Sequence, residues 1–99
     1  MTHTNKIRDF AKNINVDGRH EGDEVLAVGS FLKQEFQGVA KAAGGQYQFV
    51  IEDDLALVAI VPEGFVPGEG SRYRVTGVLR GMGEFGLFPG IEIHKMEDT

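Results

Sequence analysis

The stretch Arg72-Tyr-Arg-Val-Thr-Gly-Val-Leu-Arg80 decides the fold, because it reads as a β-strand with a glycine near its centre. Alternate side chains of a strand point to opposite faces, so one face carries the three arginines and the other carries Tyr73, Val75 and Leu79. A glycine inside a strand is unfavourable unless the sheet bends or another backbone comes close. The position of Gly77 therefore predicts a small, strongly curved sheet.

The composition predicts one compact all-β domain. The chain has 99 residues, of which 41% are hydrophobic, and this is enough for one hydrophobic core and too little for two. Its 14 glycines suit tight turns and bent strands. It contains no cysteine, which excludes disulfide bonds, thiolate metal sites and a cysteine nucleophile.

A pass along the chain predicts one helix and four more strands. Apolar residues at Ile7, Phe10, Ala11 and Ile14 follow the spacing of one helix face, so a short helix is predicted over residues 5–14, with Thr4 as its N-cap. The other predicted strands are residues 24–36 with a glycine at position 29, residues 46–52, residues 55–61 and residues 89–96.

Four segments carry a resemblance to a known fold: Glu24-Val-Leu-Ala-Val-Gly-Ser-Phe31, Gln46-Tyr-Gln-Phe-Val-Ile-Glu52, Tyr73-Arg-Val-Thr-Gly-Val-Leu79 and Ile91-Glu-Ile93. The pattern resembles the OB-fold, a five-stranded Greek-key barrel, over about residues 24–96. It is also similar to small bacterial OB-fold proteins, which have an aromatic-x-Phe second strand and a closing Ile-x-Ile-type strand.

The resemblance implies an all-β protein, a five-stranded OB-like Greek-key barrel with a short N-terminal helix. We expect one domain, with the helix and a loop in residues 1–23, the barrel in residues 24–96 and a tail in residues 97–99. Many OB domains place a helix between strands three and four, where this chain has a loop rich in proline and glycine. We expect the N-terminal helix to plug or cover the barrel instead.

The charge of the chain limits its partners. A net charge of −5 argues against duplex DNA or a membrane surface, since both need a cationic footprint. Bases nevertheless outnumber acids from Arg72 to Met96. The N-terminus has no apolar signal-peptide core, and the longest apolar run, residues 55–61, is far shorter than the ~20 residues of a membrane helix. We therefore expect a cytoplasmic protein without a membrane partner.

One glycine motif suggests a nucleotide site that its context excludes. Gly81-Met-Gly-Glu-Phe-Gly86 matches G-x-G-x-x-G, but a dinucleotide site needs a helix to follow, and Pro89-Gly90 opposes one. We interpret the motif as a glycine-rich hairpin loop. Its apolar residues either fold back to cap the barrel end or stand exposed as a contact surface: Met82, Phe85, Leu87 and Phe88.

No residue pattern predicts an enzyme, a metal site or a cofactor. His94 shares a strand face with Glu92, but spacing suggests no third metal ligand, and a surface pair explains them. Glu52-Asp53-Asp54 is explained by a tight turn. No general acid–base pair and no activated serine is indicated.

Two binding functions remain open. The first is a module for single-stranded DNA or RNA, in which bases stack on aromatic rings and cations follow the phosphates. The OB-fold resemblance implies a site on residues 46–61 and in the loops 37–45 and 81–90. The candidate residues are Lys33, Lys41, Tyr47, Phe49, Arg74, Arg80, Phe85 and Phe88. Tyr47, Phe49 and Ile51 share one strand face, however, and that arrangement is also typical of a core.

The second function is a protein-interaction or self-associating module. The third predicted strand, residues 55–61, is apolar on both faces, so both faces should be covered. A protein partner or a second copy of the chain could cover the outer face together with the loop around Phe85 and Phe88. The N-terminal helix could also cover it within one chain.

Overall fold

The computed structural model describes residues 2–33, 46–52, 54–68 and 70–99. One helix, α1, comprises Thr4–Lys12, and five strands follow: β1 (Glu24–Lys33), β2 (Gln46–Glu52), β3 (Leu55–Ile60), β4 (Arg72–Met82) and β5 (Phe88–Asp98). The prediction of an all-β fold with a short N-terminal helix is confirmed.

The five strands form one closed barrel in the order β1-β2-β3-β5-β4, with β4 pairing back onto β1. All neighbours are antiparallel except β3 and β5, which run parallel over three residue pairs between 58–60 and 90–92. Strands one to three are consecutive and β4 returns beside β1, which is the Greek-key arrangement. The barrel is consistent with the OB-like fold expected from the sequence.

Two inward-facing glycines allow the sheet to close. A β-carbon added to Gly77 would lie 2.5 Å from the carbonyl oxygen of Glu92, and one added to Gly29 would collide with the carbonyl oxygen of Val50. A β-bulge lies beside Gly77, because the register shifts between Thr76 and Gly77. Bulges and glycines bend strands and increase their twist. The curved sheet predicted from Gly77 is confirmed.

Helix α1 closes one end of the barrel. Ile7 and Phe10 are fully buried and join the core that lines the barrel. The helix is tied to β1 by two hydrogen bonds: the His3 N–H donates to the Leu26 carbonyl at 2.8 Å, and the Leu26 N–H donates to His3 Nδ1 at 2.9 Å. At the other end, Phe65 of the β3–β4 loop packs against Phe31 and Tyr73. The expectation that the N-terminal helix plugs or covers the barrel is confirmed, because Ile7 and Phe10 lie in the barrel core.

Several predicted element boundaries differ from the structure. The helix begins at Thr4 and ends at Lys12, so Thr4 is not the N-cap; His3 holds that position and makes no capping bond through its side chain. Strand β4 extends to Met82 and strand β5 begins at Phe88, because these two residues still pair in the antiparallel β4–β5 ribbon. Strand β5 also continues through two of the three residues expected to form a polar tail.

The part of β1 predicted beyond Lys33 and the β1–β2 loop lie outside the described residues. No helix within the described ranges is both long enough and apolar enough to cross a membrane.

Candidate functional site

An apolar surface lies where the outer face of β3 meets the β4–β5 turn. Val58 faces outward on β3 and is paired with Gln48 of β2 on one side and Gly90 of β5 on the other. A shallow depression of about 160 Å³ is lined by Gln48, Ala56, Leu57, Val58, Phe88 and Pro89. A second depression of about 300 Å³ lies over the turn and is lined by Glu84, Phe85, Leu87 and Phe88. Phe88 belongs to both, so the two form one surface. We call this surface the apolar patch: Phe85, Leu87 and Phe88, which are exposed, with the half-buried Ala56 and with Val58, which lines it although it is only 3% exposed.

The turn side of the apolar patch is strongly exposed. The exposed fraction is 80% for Phe85, 51% for Leu87 and 44% for Phe88. Met82 alone among the four apolar loop residues is buried, and its side chain lies over Gly90 on the outer face of the ribbon. The interpretation in which this loop caps the barrel end is therefore wrong, because α1 already fills that end. The exposure expected in the alternative interpretation is confirmed for Phe85, Leu87 and Phe88, and their contact with a partner stays a prediction.

The glycine motif shapes this turn. Gly83 and Gly86 have φ values of 88° and 67°, in the left-handed region that favours glycine. The Gly86 N–H donates to the Gly83 carbonyl at 3.2 Å, and a β-carbon on Gly81 would collide with the carbonyl oxygen of Gly86. The strands continue on both sides without a helix. The prediction of a hairpin loop in place of a nucleotide cradle is confirmed.

The aromatic residues predicted to stack on bases do not share a face. Phe49 is fully buried inside the barrel, where its ring centroid lies 4.8 Å from that of Phe31, so its prediction as a ligand-stacking residue is wrong. Tyr47 is half-buried and packs against the core. Among these four predicted aromatic residues, Phe85 and Phe88 are the exposed ones, and they lie together in the apolar patch.

The predicted cations are also dispersed. Lys33 pairs with Tyr47 across β1 and β2, and both line a depression of about 160 Å³ at the barrel end closed by Phe65. Arg74 is exposed on the outer face of β4, opposite Glu97 of β5. The Arg80 Nε donates to Glu92 at 2.9 Å, so its charge is already compensated. Lys41 lies outside the described residues.

Near α1, carboxylates are held by arginines. Arg8 donates to Asp54 at 2.8 Å and to Glu52 at 2.6 Å, and this clamp holds the helix over the β2–β3 turn. The hydrogen bond and the positive charge of Arg8 hold the pKa of Asp54 below its ordinary value. Hydrogen bonds from Arg19 lower the pKa of Asp17 in the same way. Two of the three acids in Glu52-Asp53-Asp54 are thus engaged by Arg8, and Asp53 lies outside the described residues.

The Arg8 clamp predicts a measurable titration. We expect Arg8→Gln to raise the pKa of Asp54 toward its ordinary value, because the hydrogen bond and the positive charge are both removed. A carboxyl with a depressed folded-state pKa adds stability above its unfolded-state pKa and loses it as pH falls through the folded-state pKa. The variant should therefore lose less free energy of unfolding than the wild type as pH falls from the unfolded-state pKa of Asp54 through its folded-state pKa. Carboxyl-detected NMR titration checks this, and an unchanged Asp54 pKa would contradict the clamp.

The remaining candidates for chemistry are surface groups. His94 is exposed beside the β5 bulge, and its neighbour Glu92 bonds to Arg80. No group of three histidine, aspartate or glutamate side chains within the described ranges has the spacing of a metal site.

Two acids near the apolar patch were not singled out from the sequence. Glu84 lines the depression over the turn, and Glu21 lies at the base of the turn, with Oε1 3.4 Å from where a β-carbon on Gly81 would stand. The position of Glu84 inside the glycine motif was a usable signal. That of Glu21 was not, because it depends on a contact across 60 residues of chain.

No protein-family model matches the chain, and no curated protein matches it. The fold and surface define a class: a small closed β-barrel, compatible with a binding module, with an exposed apolar patch beside one turn.

Proposed function

We propose that the protein is a non-enzymatic binding module of the OB-fold type that binds a protein partner through the apolar patch. The observation that carries the proposal is the exposure of two phenylalanines and a leucine on one turn, next to the outer face of β3. Exposed apolar clusters of this kind are characteristic of interaction surfaces. Phenylalanine, like tyrosine and tryptophan, is also enriched in the buried core of protein interfaces.

Position in the barrel also supports this proposal. In OB domains, ligands use the face of strands two and three and the loops after strands one and four. The apolar patch occupies the outer face of β3 and the β4–β5 turn. Its lining contains Gln48 and Glu84 as polar side chains and no lysine or arginine from the described residues, so its chemistry suits protein better than phosphate.

The proposed function predicts that patch variants lose binding. Peptides selected from a displayed library against the protein should bind the Phe85→Ser/Phe88→Ser double variant at least about 30-fold more weakly, as expected when aromatic hot spots are removed. Val16→Ser is the matched control, since Val16 is 73% exposed and lies outside the patch. Calorimetric titration of the selected peptides measures the change. Peptides that bind all three proteins equally, or a selection without binders, would overturn the proposal.

Binding of single-stranded nucleic acid is the second candidate, favoured by the cross-strand pair of Lys33 and Tyr47 at the opposite barrel end. A labelled oligonucleotide titrated at low and moderate salt tests it. Binding that weakens steeply with salt and drops in Lys33→Gln and Arg74→Gln would support this candidate. Absence of binding at low salt would remove it.

A further inference from the structure

We propose that the apolar patch binds a cationic amphipathic segment of another protein. The apolar residues of that segment enter the patch, and lysine or arginine residues lie beside them. This inference rests on the proposed function and adds the chemistry of the partner. It follows from the charges that surround the patch.

Four cations at this end of the barrel are already paired with carboxylates. Arg80, the arginine of the β4–β5 ribbon, donates to Glu92. Arg8 is held by Glu52 and Asp54, as described above. Arg19 is likewise held by Asp17, and Lys6 lies 3.7 Å from Asp23. These ion pairs compensate four of the positive charges that could meet an acidic ligand, and Lys12, whose charge acts on Asp54, lies at the same end outside them.

Two acids beside the patch are not compensated in this way. Glu84 and Glu21 are exposed, and within the described ranges neither lies within 4.0 Å of a cationic group. Glu84 stands directly against Phe85 in the lining of the turn depression, and Glu21 lies at the base of the same turn. An apolar surface with an acidic rim attracts a cationic apolar segment, because complementary potentials raise the association rate and suppress partners of the wrong charge.

The same charges disfavour the other occupants of such a surface. A second copy of the chain would bring the same glutamates and the same net charge of −5 to the interface. An anionic lipid surface or a nucleic acid would be repelled by Glu84 and Glu21. A basic protein segment is the occupant for which both the apolar patch and its rim are favourable.

Three peptides with one apolar pattern test the inference. The first is a short amphipathic peptide of leucine, alanine and lysine; in the second every lysine is replaced by glutamine, and in the third by glutamate. We expect the lysine peptide to bind about tenfold or more tightly than the glutamine peptide at low salt, with the glutamate peptide weakest. The difference should shrink as salt is raised, because exposed charges are screened.

Variants of the protein locate the effect. Glu21→Gln/Glu84→Gln should weaken the lysine peptide by roughly threefold to tenfold at low salt and leave the glutamine peptide unchanged. Glu63→Gln, an exposed glutamate in the β3–β4 loop, is the matched control and should change neither. The Phe85→Ser/Phe88→Ser variant should weaken both peptides.

The outcomes separate the two proposals. If the three peptides bind equally and all depend on Phe85 and Phe88, the charge inference is overturned while the proposed function stands. If the lysine peptide binds independently of Phe85 and Phe88, it is held by charge alone. The inference of a cationic amphipathic partner is then overturned too, because that partner must use the apolar patch. If none binds and the library yields no ligand that depends on the patch, both proposals fail. Dimerisation that Phe85→Ser/Phe88→Ser abolishes would replace the basic partner with a second copy of the chain.

Discussion

Phe10→Ala is expected to lower the free energy of unfolding by about 3–5 kcal/mol, because a fully buried phenylalanine is replaced by a cavity. The effect should be large for a residue on a short helix. A nine-residue helix is marginal in isolation, so α1 depends on the burial of Ile7 and Phe10 in the barrel. Removal of the ring leaves the end of the barrel partly open and the helix without its main contact.

Urea and thermal unfolding measure this prediction. For a domain of about this size, a loss of 3 kcal/mol corresponds to a decrease in melting temperature of at least about 12 °C. Val16→Ala is the control, because Val16 is largely exposed and its replacement should change stability by less than about 0.5 kcal/mol. If Phe10→Ala cost no more than this control, α1 would be an appendage to the barrel and not its plug.

The helix and the bends were predictable because their signals are local. The spacing of Ile7, Phe10, Ala11 and Ile14 identified one face of α1, and the structure buries the first two and packs the other two against the core. Gly29 and Gly77 predicted bends, because a glycine inside a strand is unfavourable unless the strand bends or another backbone comes close. The pairing of β3 with β5 had no local signal, since it joins residues about 30 positions apart.

The candidate site was harder to predict, because it depends on which face of each strand turns inward. Leu57 and Val58 are equally apolar and both are buried, yet Leu57 lies in the barrel core and Val58 lies on the outer face, where it lines a depression with Phe88. The sequence predicted Phe49 as a residue that stacks on bases, but its ring is fully buried inside the barrel. In the sequence, Arg80 was also counted as a cation that could bind a ligand. In the folded chain its Nε donates to Glu92, 12 residues away. Hydrophobicity and charge are local properties, but exposure and compensation are set by tertiary pairing.

Gly77→Ala is expected to destabilise the barrel by about 3 kcal/mol. The new β-carbon would stand 2.5 Å from the Glu92 carbonyl oxygen and 3.1 Å from its carbon, so the backbone of β5 must move. Overpacking a close-packed core typically costs about 1–3 kcal/mol, and a backbone obstacle favours the upper end. The small gain from a less flexible unfolded chain, about 0.4–1 kcal/mol, cannot offset this.

Gly90→Ala is the matched comparison, because Gly90 lies on the same β4–β5 ribbon and is also buried. The three atoms nearest to its new β-carbon all belong to the side chain of Met82, with Sδ at 2.5 Å, Cε at 2.6 Å and Cγ at 2.7 Å. Methionine is flexible and can swing into another rotamer, so the expected cost is below about 1.5 kcal/mol. Equal costs for the two variants, measured by denaturant unfolding, would show that close approach to the β5 backbone is not what requires glycine at position 77. A larger cost for Gly77→Ala would show that close contact with the β5 backbone is what requires glycine at position 77. That contact closes the barrel and thereby positions the β4–β5 turn with its apolar patch.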